Sequence, residues 1–284
     1  MSLVIGDART VAPADLSANP LVSPRWLADH LDQVTVVDCR FSLPEPELGR
    51  RQYAAGHIPN AYYLDLNRDL SSPVQAHGGR HPLPDWHRFA KRLELLGICS
   101  SPQTPVVAYD ASRFAFAARL WWMLRYLGHA NVALLDGGIA GWQAAGLALS
   151  QDIPPFRTGA FEPRPQPGWI ANIEALRHPR PGTLIVDSRS ADRYRGEREP
   201  IDPVAGAVPG AVNYFWQQVS NAEGYLHPSA VLAQHWAALD SADETIVYCG
   251  SGVTACVNLF SQAVAGKPMG RLYPGGWSDW CSYQ

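Results

Sequence analysis

The stretch IVYCGSGVTACVNLF, residues 246–260, runs from a β-branched apolar segment through a glycine-containing turn into a segment of helical character. Strand, turn and helix in that order are the unit of a parallel α/β sheet, and Cys249 stands at the carboxyl end of the strand. In such sheets ligands gather outside the carboxyl ends, where loops lead into helix N-termini. Gly250 and Gly252 allow the backbone to turn several N–H groups toward one centre, and the helix adds its positive end, so the loop is a seat for a small anion. The same field favours the thiolate of Cys249, which is the nucleophilic form. Cys256, inside the helix, reads as packing.

Working outward, four blocks of the chain occur twice in the same order. VVDCR (36–40) returns as IVDSR (185–189), and GHIPNAYYLDL (56–66) returns as GAVPGAVNYFW (206–216). VVAYD (106–110) answers IVYCG (246–250), which sets Asp110 opposite Cys249, and LLDGGIAGW (134–142) answers LYPGGWSDW (272–280). Ordered recurrence at about half the chain length indicates a duplicated domain. The proline-dense, aperiodic segment 150–169 reads as an extended linker, giving a first domain at 20–149 and a second at 170–284. Within each copy, short apolar runs such as TLIVD and TIVY alternate with amphipathic runs such as DWHRFAKRLELLG. The expected fold is therefore α/β, with two parallel sheets each flanked by helices.

The 284 residues are ample for two cores, and a net charge of −3, with both signs mixed along the chain, gives no footprint for nucleic acid or a membrane surface. The N-terminal MSLVIGDART lacks the pattern of a leader peptide, and the long apolar stretch FAFAARLWWMLRYLG (114–128) is interrupted by Arg119 and Arg125. The reading is a soluble cytoplasmic protein with a small-molecule ligand. Five cysteines, an odd number, stand at scattered positions without zinc-ligand spacing, so neither structural disulfides nor a bound metal is expected.

A cysteine in such a cradle also suits phosphate-ester hydrolysis, but that chemistry needs an arginine six residues on to clamp the phosphate, and Ala255 stands there. A short neutral loop suits a smaller passenger, such as one sulfur atom carried as a persulfide. With CGSGVTA (249–255), the paired DCR/DSR and GHIPNA/GAVPGA blocks and the paired GG…W endings, the chain resembles the tandem-domain rhodanese and 3-mercaptopyruvate sulfurtransferase family from about residue 20 to 282. The resemblance implies two rhodanese-like domains, the first catalytically silent because Asp110 replaces the cysteine. It implies an active site in the second domain that faces the cleft between them, and no cofactor.

It further implies that Cys249 takes sulfur from a donor as a persulfide and passes it to cyanide, a thiol or an acceptor protein, while the N–H groups of Gly250, Ser251, Gly252, Val253, Thr254 and Ala255 hold the charge. Ser251 is the expected hydroxyl near the thiol, His57 is either its proton relay or a loop anchor hydrogen-bonded to backbone, and the acidic residue expected upstream falls near Pro46, between Glu45 and Glu47. Arg193 aligns with the family's substrate-binding arginine, and Arg189 suits an ion pair with the preceding acidic residue. A second substrate arginine is missing, with Ile201 and Asp202 near its place; Arg198 or Arg195 is the candidate substitute, and the other reading of each is a solvated surface charge. Trp277 is expected to wall the pocket and Tyr248 to pack in its strand. Gly250 and Ser251 bring no positive charge for dianionic thiosulfate, which favours 3-mercaptopyruvate as donor. Thiosulfate, a persulfide carrier serving a protein partner, and a redox sensor pairing Cys249 with Cys256 are the alternatives.

Overall fold

The computed structural model describes residues 15–284, so the N-terminal MSLVIGDART lies outside the described residues. The first half of the chain runs β1 (Leu21–Val22), α1 (Pro24–Asp29), β2 (Thr35–Asp38), α2 (Leu48–Ala55), β3 (Tyr62–Tyr63), α3 (Trp86–Leu95), β4 (Val106–Tyr109), α4 (Ala117–Tyr126), β5 (Val132–Leu135) and α5 (Gly138–Ala144). The second half runs α6 (Ile173–Arg177), β6 (Thr183–Asp187), α7 (Ala191–Tyr194), β7 (Val212–Asn213), α8 (Ser229–His235), β8 (Glu244–Tyr248), α9 (Ala255–Val264), β9 (Arg271–Leu272) and α10 (Gly276–Cys281). Ser23, Asp85 and Asn172 cap α1, α3 and α6, each accepting the N–H three residues on, and Pro24 fits the first turn of α1.

Two sheets form, ordered β1-β5-β4-β2-β3 and β7-β6-β8-β9, and every pairing within them is parallel. Val36, Val37, Val106, Val107, Val186, Ile246 and Val247 are wholly buried, as strands covered by helices on both faces require. The duplication extends to single atoms. Tyr109 donates its hydroxyl to Asp38 Oδ2 and Tyr248 to Asp187 Oδ2, both at 2.7 Å. Arg40 donates from Nη2 to Asp38 at 2.6 Å and to Gly56 O at 2.7 Å, and Arg189 repeats this with Asp187 at 2.7 Å and Gly206 O at 2.6 Å. The repeated DCR/DSR and Gly–x–x–Pro blocks are thus two copies of one buried knot, which ties the end of a central strand to the loop entering the next. Tyr248 packs in its strand as expected, and Arg189 is the ion-pair partner of Asp187.

The halves meet through their most apolar helices. In α4 the residues Ala117–Leu124 are all buried, and in α9 so are Ala255–Gln262, because a helix apolar on all sides must be covered on all sides. Trp121 sets its ring edge against Phe260 at 5.1 Å between centroids, and Phe114 lies 5.9 Å from the same ring. One apolar cluster runs through both halves. Segment 150–169 lies along the first half, with Gly159 N donating to Glu94 O and Gln166 N to Tyr126 O, both at 2.8 Å, before Trp169 O accepts from Leu272 N in the second. Its path is extended, without helix or named strand.

Candidate active site

Cys249 follows β8 directly, and Ala255 opens α9, so the loop between them spans the carboxyl end of a central strand and the start of a buried helix. The backbone N–H groups of Ser251, Gly252, Val253 and Thr254 have no acceptor among the described residues, which leaves them available to an anion. Gly252 has φ +70, and a side chain there would drive into Pro274 O, so the turn requires glycine. Beneath the loop, Trp277 N donates to Cys249 O at 2.7 Å and Ser278 N to Gly250 O at 2.9 Å.

The first half shows what such a cradle holds. Asp110, at the position answering Cys249, is buried, and its carboxylate accepts from Ser112 N at 2.7 Å, Phe114 N at 3.2 Å, and Phe116 N and Ala117 N at 2.9 Å. Burial raises the carboxyl above its ordinary range, against the opposing pull of those four N–H groups. Ile139 N donates to Asp110 O just as Trp277 N donates to Cys249 O. A built-in anion therefore fills the first cradle, and a thiol stands at the second.

Cys249 opens onto a cleft of about 550 Å³ between the halves, walled by Phe116 and Trp216 and carrying Arg80, His81, Arg193 and Ser251. His81 Nδ1 lies 2.8 Å from Ser251 Oγ. Burial, then the charges of Arg119 and Arg80, push His81 down to about 3, so its ring is neutral at ordinary pH. The loop that delivers it, between β3 and α3, has no regular structure over some twenty residues and turns at Gly78 and Gly79, with φ +102 and +78. Gly79 packs so closely on Gly275 O that no side chain fits there. Gly78 N donates to Asp279 Oδ1 at 2.6 Å and Arg80 N to Ser278 Oγ at 3.1 Å, which seats this loop of the first half on α10 of the second.

Arg119 of α4 is wholly buried below the cysteine loop. Its Nη1 donates to Gly252 O at 2.9 Å and its Nη2 to His81 O at 3.0 Å and Leu70 O at 3.4 Å. Burial pulls the guanidinium down from its ordinary value, and the nearby thiols of Cys256 and Cys249 oppose that. The charge that interrupts the apolar stretch 114–128 thus joins the cysteine loop to the histidine loop.

An alternating network of charge runs from the sheet to the cleft. Arg189 pairs with Asp187 at 2.7 Å and Glu199 at 3.1 Å; Arg193 pairs with Glu199 at 2.8 Å and Asp202 at 3.1 Å; and Asp202 pairs with Arg80. Burial pushes Glu199 up, but the Arg193 hydrogen bond and its neighbours outweigh this and leave it below its ordinary value. Asp202 ends above its ordinary value, because burial there outweighs Arg80 and Arg193.

The expected residues fall in different places. Cys249, the loop Gly250–Ala255, Ser251 and Arg193 gather at the cleft. His57 does not join them: its Nδ1 lies 2.8 Å from Tyr53 O and its Nε2 3.1 Å from Asp152 O, and the ring stacks on Tyr53. It pins the linker to α2, and His81 takes the place beside Ser251. Arg198 is also displaced, exposed and paired with Asp192 at 2.8 Å, and Arg195 pairs with Glu197 at the surface. Glu45 and Glu47 make exposed pairs with Arg51 and Arg68. Trp277 supports the loop from below, its Nε1 donating to Val204 O at 2.8 Å and the Arg189 guanidinium 4.6 Å from its ring. The signal for His81 and Arg80 was GGRHP (78–82), a double glycine before two cationic residues in a long loop without periodicity, where function concentrates.

The Cys256 thiol, pushed up to about 12 by burial, lies 3.5 Å from Gly252 O. Among the described residues no group of three or more His, Cys, Asp or Glu is arranged to hold a metal ion, and no helix is long and apolar enough to cross a membrane.

Residues 23–145 and 172–283 each match the description Rhodanese-like domain. The chain is 44% identical over 274 residues to a Pseudomonas aeruginosa protein named "Probable 3-mercaptopyruvate sulfurtransferase", covering 93% of this chain and 96% of that one. It is 35% identical to a Mycobacterium tuberculosis protein provisionally named a thiosulfate sulfurtransferase, covering 88% and 89%. Its fold superposes on 3-mercaptopyruvate sulfurtransferase from Leishmania major with a TM-score of 0.82 at 29% identity, over 96% of this chain and 76% of that one.

Proposed function

Since the chain belongs to the rhodanese family, with two rhodanese-like domains and curated relatives that are sulfurtransferases, we propose that it moves sulfur from 3-mercaptopyruvate through a Cys249 persulfide. The Cys249 thiolate attacks the donor sulfur and a sulfur–sulfur bond forms. The carbon–sulfur bond breaks with its electron pair passing to carbon as the enolate of pyruvate. The proton of the donor thiol passes through Ser251 Oγ, backed by the neutral His81, to that carbon, giving pyruvate and the persulfide anion. A thiol or cyanide then takes the outer sulfur and regenerates the thiolate.

The observation that carries this reading is the Ser251–His81 pair beside Cys249, because only a donor that leaves a carbanion requires a proton on carbon. The vacant N–H groups of the loop suit the persulfide charge, and the anion-filled cradle of Asp110 supports a silent first domain at 20–149, joined through 150–169 to a catalytic one at 170–284. A reducing, cytoplasmic setting is part of the same reading, since five free thiols include the nucleophile. Thiosulfate is the second reading, favoured by one observation: although the loop is neutral, Arg80 and Arg193 bring positive charge beside Gly250.

The test is intact mass and steady-state rate with each donor. Mercaptopyruvate should add one sulfur to the wild type and none to Cys249→Ser, with the higher kcat/KM. A higher kcat/KM for thiosulfate overturns the choice of donor, and no sulfur gained from either overturns the reading.

A further inference from the structure

Arg80 and Arg193 reach the cleft from different halves of the chain, and each keeps one terminal nitrogen without an acceptor among the described residues. Arg80 gives Nη1 to Asp202, while Arg193 gives Nε and Nη2 to Glu199 and Nη2 to Asp202. Arg80 Nη2 and Arg193 Nη1 remain. Both point to one place: an atom built outward from the Gly250 Cα would lie 2.9 Å from Arg80 Nη2 and 3.6 Å from Arg193 Nη1. That place adjoins Cys249 and is open because residue 250 has no side chain. Asp202, its own side chain 2% exposed, anchors both guanidinium groups from behind without covering those nitrogens.

We propose that Arg80, donated by the first domain, is the second arm of a cross-domain carboxylate clamp. Arg193 is the first arm, and the substrate carboxylate binds between Arg80 Nη2 and Arg193 Nη1 over Gly250. This rests on the functional reading above and identifies the group by which that site selects its donor. Two forks held by one buried carboxylate are preorganised, so little side-chain freedom is lost when the ligand arrives. The apolar Ile201 lines the same cleft, and neither Arg195 nor Arg198 does, so the second cation comes from across the interface rather than from the Arg193 segment.

The experiment compares mercaptopyruvate with mercaptoacetone, which keeps the ketone and thiol but has a methyl in place of the carboxylate. It uses the full-length wild type, Arg80→Ala and Arg80→Lys. In Arg80→Ala the KM for mercaptopyruvate should rise on the order of tenfold to a hundredfold, the range for losing one charged hydrogen bond. The kcat/KM for mercaptoacetone should stay within about twofold, and Arg80→Lys should recover part of the loss. Equal losses on both donors would overturn the inference, since Arg80 would then be a latch between domains, and an unchanged KM for mercaptopyruvate would overturn it while leaving the functional reading intact. A wild type that accepts sulfur from thiosulfate but not from mercaptopyruvate overturns both.

Discussion

The imidazole Nδ1 of His81 and the hydroxyl of Ser251 lie 2.8 Å apart although 170 residues separate them in the chain. Each belongs to a different sheet domain, so the proposed proton path requires the domains to be packed as they are here. Among the further contacts that set that packing are Arg119 to Gly252, Arg80 to Asp202, and Gly78 to Asp279. The chemistry proposed for the second domain would therefore depend on loops and helices of a domain whose own cradle is occupied.

His81→Gln should lower kcat with mercaptopyruvate on the order of a hundredfold, the lower range for losing a positioned proton-transfer group. With thiosulfate the loss should be only a few-fold, because sulfite leaves with its electron pair and no carbon is protonated. Steady-state rates with both donors check this. Equal losses would mean that the histidine shapes the cleft and moves no proton.

The same histidine makes a prediction about acid stability. An unfolded histidine takes up its proton as pH falls through about 6.5, whereas the folded His81, pushed down to about 3, does not. Between those values the unfolded chain binds more protons, so the native state loses stability as pH falls. Urea midpoints at about pH 6 and about pH 4 should drop less in His81→Gln than in the wild type. Identical drops would show that the ring is not held neutral.

The duplicated fold was legible because the Asp-x-Arg pair of the knot is local in sequence and written twice. Cys249 was legible because strand, loop and helix are contiguous. His81, Arg80 and Arg119 were not, since they reach the loop from the other domain, and periodicity describes each element without describing how two sheets face one another. His57 misled for a related reason. It lies inside a block that recurs, and what recurs in both copies is the knot, which serves both domains alike. The charge at Arg119 was read only as an interruption of an apolar stretch, when its burial on the interface is what gives it a role.

Asp110→Ala should destabilise the protein by about 2 kcal/mol, because four N–H groups, three of them buried, lose one acceptor and water does not readily replace it. Activity per folded molecule should change little, since the carboxylate lies outside the proton path. Urea unfolding and kcat on the same sample separate the two effects. A full loss of activity without a loss of stability would instead give the first cradle a part in turnover.

Arg119→Met should lower kcat for mercaptopyruvate and thiosulfate alike, on the order of tenfold each. The guanidinium holds Gly252 O on one side and His81 O and Leu70 O on the other, and its charge lies below the loop proposed to carry the persulfide. In the proposed reaction the persulfide forms with either donor, so the defect should not depend on donor identity. Stability should move less than the count of broken bonds suggests: three carbonyls lose a donor, but a cation without a carboxylate partner no longer has to be buried. Arg119→Lys keeps the charge without the fork and should recover only part of kcat. Loss of sulfur transfer from mercaptopyruvate alone would assign Arg119 to the histidine rather than to the loop. A large stability loss with normal kcat would make it only a pillar of the interface. The pattern across donors therefore separates three cationic or basic groups around one thiol: Arg80 by the carboxylate, His81 by the carbanion, and Arg119 by neither.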